Sequence, residues 1–343
     1  MTTPTESPDA NQRLVIALGD PAGIGMEVTL KALAHPQRPP AMDPLLVGCR
    51  ASLERTASQL RSKSQEPLAD PEALEVVDLP VPGGPLAPGD AGAPSGAISF
   101  QWLTRAVDLV KQGHGRALVT APIAKHAWHK AGHHYPGQTE RLAELDESTS
   151  PSMLFTAVSP QTGWRLNTLL ATTHIPLQQV AEALTADLVQ RKLDQLAMFC
   201  LRFNPAPTLL VAGLNPHAGE AGRLGCEEER WLTPLLREWG NRHPAIDLIG
   251  PLPPDTCWLG AAQAWNQSDL SKGPDGILAL YHDQGLIPVK LLAFDQAVNT
   301  TLGLSFLRTS PDHGTGFDIA GRGVARGASM LAAIQAAWEL SQA

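Results

Sequence analysis

Charge is scarce in this chain. Of its 343 residues only 17% are charged, and 34 acidic residues against 26 basic ones give a formal net charge of −8. Such a composition lacks the basic surface that nucleic acid requires. It still admits an anionic small molecule, because a local basic cluster can sit on an acidic protein. Cysteine is nearly absent as well. Cys49, Cys200, Cys226 and Cys257 are widely spaced and form no C-x-x-C pair, so they are expected as free, buried thiols in a reducing compartment. No apolar run approaches the roughly 18 residues of a membrane span. The opening MTTPTESPDANQ has neither the basic start nor the apolar core of a secretory signal. The expectation is a cytoplasmic protein with no membrane partner. There is no G-X-Y period and no internal repeat, and at 43% hydrophobic the chain is too apolar for disorder.

What is abundant is glycine and proline, 30 of each. Average usage would give about 41 in total. They bound short runs rich in Val, Ile and Leu: Leu14–Leu18, Ala117–Val119, Leu166–Ala171, Thr208–Ala212 and Gly276–Leu280. These runs lack strict alternation, which predicts strands buried on both faces. Helical patterns lie between them, at Glu27–Ala34, Ser95–Gln112, Leu177–Phe199, Glu227–Trp239 and Ala325–Leu340. Strand and helix therefore alternate, the signature of an α/β protein with a mainly parallel sheet. Residues 35–45, 62–95 and 259–274 read as loops. No linker is visible, so two lobes are expected rather than two separate beads.

Polar residues collect just after the apolar runs. Gly19–Gly25 (GDPAGIG), Thr120–Lys125 (TAPIAK), Thr172–His174 (TTH), Asn215–Glu220 (NPHAGE) and Tyr281–Gly285 (YHDQG) each follow one. Ligands of open α/β sheets bind outside the carboxyl ends of the strands, so five such ends point to a shared site. Three of them carry a histidine: His174, His217 and His282. Three protein ligands with an open position are common in catalytic metal sites, and imidazole suits Zn, Co, Ni or Fe better than Mg. The spacing forms no local metal motif, so independent loop histidines remain an alternative. The local cluster His126, His129, His133 and His134 lacks H-E-x-x-H order and reads as an exposed helix and turn. Gly19–Gly25 matches neither the dinucleotide fingerprint nor the P-loop; its backbone can present N–H groups to an anion or simply make a tight turn. Lys290, Asn299 and Arg308 stand in apolar surroundings and offer charge and donors for a phosphate. Paired surface cations would look the same. The Gly-rich stretch Thr309–Gly321 before the last helix can wrap a nucleotide or serve as a crossover.

Eight blocks in order carry a resemblance that covers about residues 14–335. They are the five segments above together with Pro136–Glu140 (PGQTE), Val298–Gly303 (VNTTLG) and Arg308–Thr315 (RTSPDHGT). In them the chain resembles the 4-hydroxythreonine-4-phosphate dehydrogenase family of pyridoxal phosphate biosynthesis. The resemblance implies a two-lobed α/β/α fold of the isocitrate/isopropylmalate dehydrogenase type, with the active site in an interdomain cleft at a dimer interface. Residues 1–135 plus 305–343 would form the nucleotide-binding lobe and 136–304 the substrate, metal and dimerisation lobe.

The implied activity is oxidation of 4-phosphohydroxy-L-threonine at C3 by NAD or NADP, then decarboxylation to 3-amino-2-oxopropyl phosphate. His174, His217 and His282 would be ligands of a divalent metal, Zn before Mg or Co, with His174 from one subunit and the other two from its partner in a homodimer. Gln138, Thr139, Lys290, Asn299 and Arg308 fall on substrate-binding positions. Asp255, Asp283 and Lys290 fall on catalytic ones, and Asp312, His313, Gly314, Thr315 and Asp318 on the cofactor loop. One departure stands out: the family more commonly has His where this chain has Gln138. Gln can hydrogen-bond but cannot titrate. A related phosphorylated hydroxy acid or a dihydrodiol carboxylate is the alternative substrate. A non-catalytic binding protein of the same fold is the alternative role.

Overall fold

The computed structural model describes residues 12–267 and 273–342. The opening segment and residues 268–272 of the 259–274 stretch lie outside the described residues. In chain order the elements are β1 (Arg13–Ala17), α1 (Gly25–Ala34), β2 (Asp43–Gly48), α2 (Arg50–Leu60), β3 (Glu75–Asp78), α3 (Ala93–Lys111), β4 (Ala117–Thr120), α4 (Lys125–Lys130), α5 (Gln138–Asp146), β5 (Ser152–Val158), β6 (Arg165–Leu170), α6 (Val180–Ala183), α7 (Ala186–Cys200), β7 (Thr208–Ala212), α8 (Thr233–Arg242), β8 (Asp247–Leu252), α9 (Leu259–Asn266), β9 (Gly276–Ala279), α10 (His282–Ala293), β10 (Val298–Leu302), β11 (Leu307–Pro311) and α11 (Ala328–Leu340). The α/β class follows directly. All five expected strands are present within a residue of their apolar runs.

The chain divides into two compact units. Unit 1 runs to Pro151 and resumes at Val298; unit 2 is Ser152–Ala297. These boundaries differ from the expected breaks at 135/136 and 304/305. The reason is packing. Leu142 of α5 belongs to the same core as Val107, Leu118 and Trp128, and β10 pairs antiparallel with β11. Gln138, Thr139 and Asn299 consequently belong to unit 1.

Unit 1 has strand order β3-β2-β1-β4-β11-β10, parallel except for the last pair. The strand β1 is buried along nearly its whole length, so its uninterrupted apolar run is what a two-sided core demands. Gly25 opens α1 where a Cβ would lie 2.3 Å from the Leu18 carbonyl oxygen; only glycine lets the helix start so close to the strand it follows. A buried pair then ties α1 to the end of the chain. Lys31 Nζ donates to Glu27 Oε1 at 2.9 Å and to the Gly323 carbonyl at 3.0 Å, while Ala325 N donates to Glu27 Oε1 at 3.1 Å. Unit 2 has order β5-β6-β9-β7-β8. Its first pair is antiparallel and the rest parallel, over a core that includes Phe155, Leu166, Ile277 and Trp265.

Several expectations need correction. Residues 35–45 and 62–95 are not wholly loop: β2 begins at Asp43 and β3 lies at Glu75–Asp78. Residues 259–266 form α9. The helix α10 went unread because Pro288 stands inside it; a proline that far in usually ends a helix. The Leu177–Phe199 pattern splits at Leu184–Thr185, where the Thr185 hydroxyl accepts from Leu188 N and caps α7.

Candidate active site

Antiparallel pairing of β10 and β11 sets Thr301 opposite Arg308 and Asn299 opposite Ser310. Residues two apart share a face, so Asn299, Thr301, Arg308 and Ser310 share one. Arg308 is 3% exposed. Its Nε and Nη2 donate to Thr120 Oγ1 at 3.0 and 2.7 Å, its Nη1 to Thr301 Oγ1 at 3.1 Å, and its Nη2 also to Gln138 Oε1 at 3.3 Å. Every one of these acceptors is neutral, and among the described residues no carboxylate pairs with the guanidinium. Burial pulls its pKa down to about 10, opposed by the field of Glu140. It stays charged at neutral pH. A buried, unpaired cation costs several kcal/mol, which an incoming anion would offset. Beside it, Asn299 Oδ1 is enclosed and has no hydrogen-bond partner. Gln138 opens α5, with Nε2 donating to the Ala121 carbonyl at 3.2 Å. Thr139 follows it, half-buried.

The GDPAGIG turn meets the Gly-rich loop in the same unit. Ile24 N donates to the Thr315 carbonyl at 2.9 Å. Asp20 is fully buried; its carboxylate accepts from Ala22 N at 2.9 Å and Ser95 Oγ at 3.1 Å. Burial raises its pKa, and those two hydrogen bonds oppose the rise. Along the loop, Asp312 N donates to Ser329 Oγ at 3.3 Å, and His313 Nδ1 lies 3.0 Å from the Gly314 carbonyl. His313 Nε2 is enclosed without a partner. Gly314 and Asp318 are exposed and Thr315 half-buried.

In unit 2 the strands preceding the three histidines are neighbours. β9 pairs in parallel with β6 on one side and β7 on the other, so the loops bearing His174, His217 and His282 leave one edge of the sheet. Gln284 locks that edge: its Oε1 accepts from Leu280 N at 2.6 Å and its Nε2 donates to the Gly213 carbonyl at 2.7 Å. The rings of His174 and His282 have centroids 5.6 Å apart. His282 Nδ1 lies 2.8 Å from Asp283 Oδ1, which assigns the proton to Nδ1 and leaves Nε2 as a lone-pair donor. Asp255 is exposed in the turn after β8. Lys290, on α10, has Nζ 5.7 Å from the Phe294 ring centroid. Asp255, Asp283 and Lys290 thus belong to unit 2, whereas Arg308, Asn299 and the 312–318 loop belong to unit 1.

The His217 loop has unusual backbone. His217, Ala218, Gly219, Glu220, Ala221 and Gly222 all have φ between +44° and +83°. Left-handed residues ordinarily occur singly, at about 1–2 kcal/mol each for residues with a Cβ. Four of these carry one, so the turn stores about 4–8 kcal/mol. A buried carboxylate holds its start. Glu228, 2% exposed, accepts from Leu214 N at 2.9 Å and Asn215 N at 2.7 Å through Oε1, and from Asn215 Nδ2 at 2.9 Å through Oε2. Asn215 Nδ2 also donates to Glu227 at 2.8 Å. His217 itself remains exposed.

The donors suit a borderline divalent metal. Two imidazoles lie together, a carboxylate orients one of them, and the third histidine leaves the same sheet edge. Yet among the described residues of the single chain no three His, Cys, Asp or Glu side chains stand close enough to hold an ion. Sequence reasoning missed Thr120 and Thr301 as partners of Arg308, and Asp20, Glu228 and Gln284 as buried anchors. Nothing in the sequence distinguishes Glu228 from its neighbour Glu227.

The profile described as pyridoxal phosphate biosynthetic protein PdxA matches residues 40–337. A 4-hydroxythreonine-4-phosphate dehydrogenase of Synechococcus sp. (strain RCC307) is 66% identical over 329 residues, covering 96% of this chain and 99% of its own. A D-threonate 4-phosphate dehydrogenase of Salmonella typhimurium is 38% identical over 353 residues, covering 96% and 98%. Among solved structures, that of 4-hydroxythreonine-4-phosphate dehydrogenase from Klebsiella pneumoniae is similar with a TM-score of 0.79 at 36% identity, covering 97% of this chain and 98% of that one.

Proposed function

The chain belongs to the family of the pyridoxal phosphate biosynthetic protein PdxA, and from that premise we propose that it oxidises 4-phosphohydroxy-L-threonine with NAD or NADP. The observation that carries this reading is Arg308, a buried guanidinium whose acceptors are all neutral. It has the character of half an ion pair, and a substrate phosphate is its complement. The enclosed Asn299 Oδ1 would take a hydrogen bond from the substrate's hydroxyl or ammonium group.

The balance is simple. The C3 hydroxyl loses its proton to a base as C3 gives its hydrogen as hydride to the nicotinamide, leaving a 3-oxo acid and NAD(P)H. Loss of CO₂ from that acid gives an enol, which reprotonates at C2 as 3-amino-2-oxopropyl phosphate. His174, His217 and His282 would hold a divalent ion, which supplies a Lewis acid that weakens the O–H bond and stabilises the enolate. Asp283 orients His282 through Nδ1. Lys290 and Asp255 are the further candidates for moving protons. The 312–318 loop, tied to α1 through Thr315 and Ile24, would line the cofactor with backbone.

Three further parts of the reading have their own support. Among the described residues a single chain gathers no three metal donors, which favours a site completed by a second copy in a homodimer. On α10 the exposed Ile287, Leu291 and Phe294, at helical spacing, would give that copy an apolar face. Free thiols at all four cysteines suit the cytoplasm. Gln138 on Arg308 favours one second reading, a related phosphorylated hydroxy acid such as D-threonate 4-phosphate, since the residue touching the phosphate's partner departs from the expected His.

The test is purified protein with Zn²⁺, NAD⁺ or NADP⁺ and each phosphorylated acid in turn, followed by NAD(P)H absorbance. Metal-dependent turnover of 4-phosphohydroxythreonine is expected, and its absence sinks the leading reading. Turnover of D-threonate 4-phosphate alone selects the second. His174 and His282 lie together in one chain, so mixing His217→Ala with His282→Ala protein should restore partial activity if the partner supplies His217; no rescue argues against that sharing.

A further inference from the structure

We propose that Glu228 is a positioning residue. Its carboxylate clamps the start of the left-handed turn and thereby fixes where His217 is presented. This rests on the reading of His217 as a metal ligand.

Three observations carry it. The first is the turn itself. Six consecutive residues from His217 to Gly222 have positive φ, a conformation that chain preference alone would not hold. Something outside the turn must over-determine it. The second is the carboxylate. Glu228 is 2% exposed and accepts three hydrogen bonds, all from Leu214 and Asn215. These residues join β7 to the turn, so both amide groups that would otherwise fray there are committed to one side chain. The third is fit. At Gly219, φ +83°, an added Cβ would lie 2.6 Å from the Gly225 carbonyl and 2.9 Å from Glu228 Oε2. The turn closes directly onto the carboxylate that starts it.

Burying a carboxylate is expensive unless its lone pairs are used. At this position they are used on backbone and on Asn215, not on a cation; among the described residues Glu228 has no ion-pair partner. The arrangement trades a buried charge for a defined loop. A carboxamide cannot replace it. Gln at 228 would keep one acceptor oxygen for the two amides, but its NH₂ would face the NH₂ of Asn215, donor against donor. Asn215 could turn its oxygen toward Gln, but it would then lose its bond to Glu227.

The experiment uses the full chain with Co²⁺ as probe, titrated calorimetrically and by its visible absorbance. Amide hydrogen exchange at Leu214 and Asn215 and thermal melting are followed in parallel. For Glu228→Gln we expect Co²⁺ affinity to fall about 10–100-fold, as for other residues that orient metal ligands. Exchange at the two amides should rise at least about tenfold while the amides of β9 stay protected. Affinity within twofold of wild type overturns the proposal, whatever the exchange shows. His217→Ala is the control for the underlying reading: it should abolish the Co²⁺ signal. If Glu228→Gln and His217→Ala both bind as wild type, the metal reading fails with the proposal; if only Glu228→Gln does, the proposal fails alone. Should Glu228→Gln not fold, Asn215→Ala removes one of the three donors and carries the same test. A loss of about threefold or more is expected, and unchanged affinity overturns the clamp.

Discussion

Arg308 and His217 reach their stations by opposite means. Arg308 sits on a regular strand in a parallel-dominated sheet, and everything unusual about it is electrostatic: a cation 3% exposed whose hydrogen-bond partners among the described residues are Thr120, Thr301 and Gln138. His217 is exposed, and everything unusual about it is conformational: a left-handed backbone held by a distant carboxylate. In unit 1 the cost is desolvation; in unit 2 it is backbone strain. The lesson is that a site can store energy in either form, and that the two respond to different mutations.

The sharpest way to break this comparison is Arg308→Met. It keeps much of the volume and removes the charge. Affinity for a phosphorylated ligand should fall by about 3 kcal/mol, roughly 100-fold or more, since hydrogen bonds to charged groups are the strong ones. Melting temperature should hold or rise, because the desolvation cost of the buried cation is removed. A large loss of stability would show that the guanidinium is structural. Gly219→Ala attacks the other side. Its Cβ meets backbone at 2.6 Å at a positive φ, so a loss of about 2 kcal/mol is expected in denaturant melts. Wild-type stability would mean that the turn relaxes freely.

Asp20→Asn extends the electrostatic case. Asn keeps the bond from Ala22 N and can donate to Ser95 Oγ, which still donates to the Gly92 carbonyl. Burial raises the Asp20 pKa in the folded state. The favourable contribution of a neutral Asp20 is therefore complete below the ordinary carboxyl pKa and is lost as pH rises through the raised one. Asn should match Asp in acid and exceed it at neutral pH, by a few degrees in melting temperature. A gap that is constant with pH would count against a desolvated carboxylate. The smallest effect is expected from Ala218→Gly. It relieves left-handed strain but frees the unfolded chain, for a net gain of about 0.5 kcal/mol. Destabilisation there would deny that strain is stored at Ala218.

How much of this was legible beforehand follows from the kind of residue. The five buried strands announced themselves as unbroken apolar runs, because a strand covered on both faces has no polar side to show. Edge and antiparallel strands such as β5, β8 and β10 mix in polar residues, and they went unread. His174, His217 and His282 were visible as histidines after apolar runs, and the parallel order β6-β9-β7 is why their three loops leave one edge of the sheet. Thr120 and Thr301 were not visible as partners of Arg308. Thr120 stands two residues past Leu118, which pairs with Arg308 from one side, and Thr301 pairs with Arg308 from the other; both matter only through cross-strand register. Glu227 and Glu228 are adjacent and chemically identical; Glu228 is buried and accepts three hydrogen bonds, whereas Glu227 is half-buried and accepts one side-chain bond, from Asn215.

The sequence by itself determined the α/β class, the polar segments at the strand ends and the family to which the chain belongs. These depend on hydrophobic period and on residue types in order, both of which are local properties. Only the tertiary structure decided that Arg308 is a buried cation among neutral oxygens, that six residues after Pro216 run left-handed, and that Glu228 rather than Glu227 holds them. Burial, register and backbone conformation arise from which segments pack together. They depend on contacts between residues far apart in the chain, which no stretch of sequence contains.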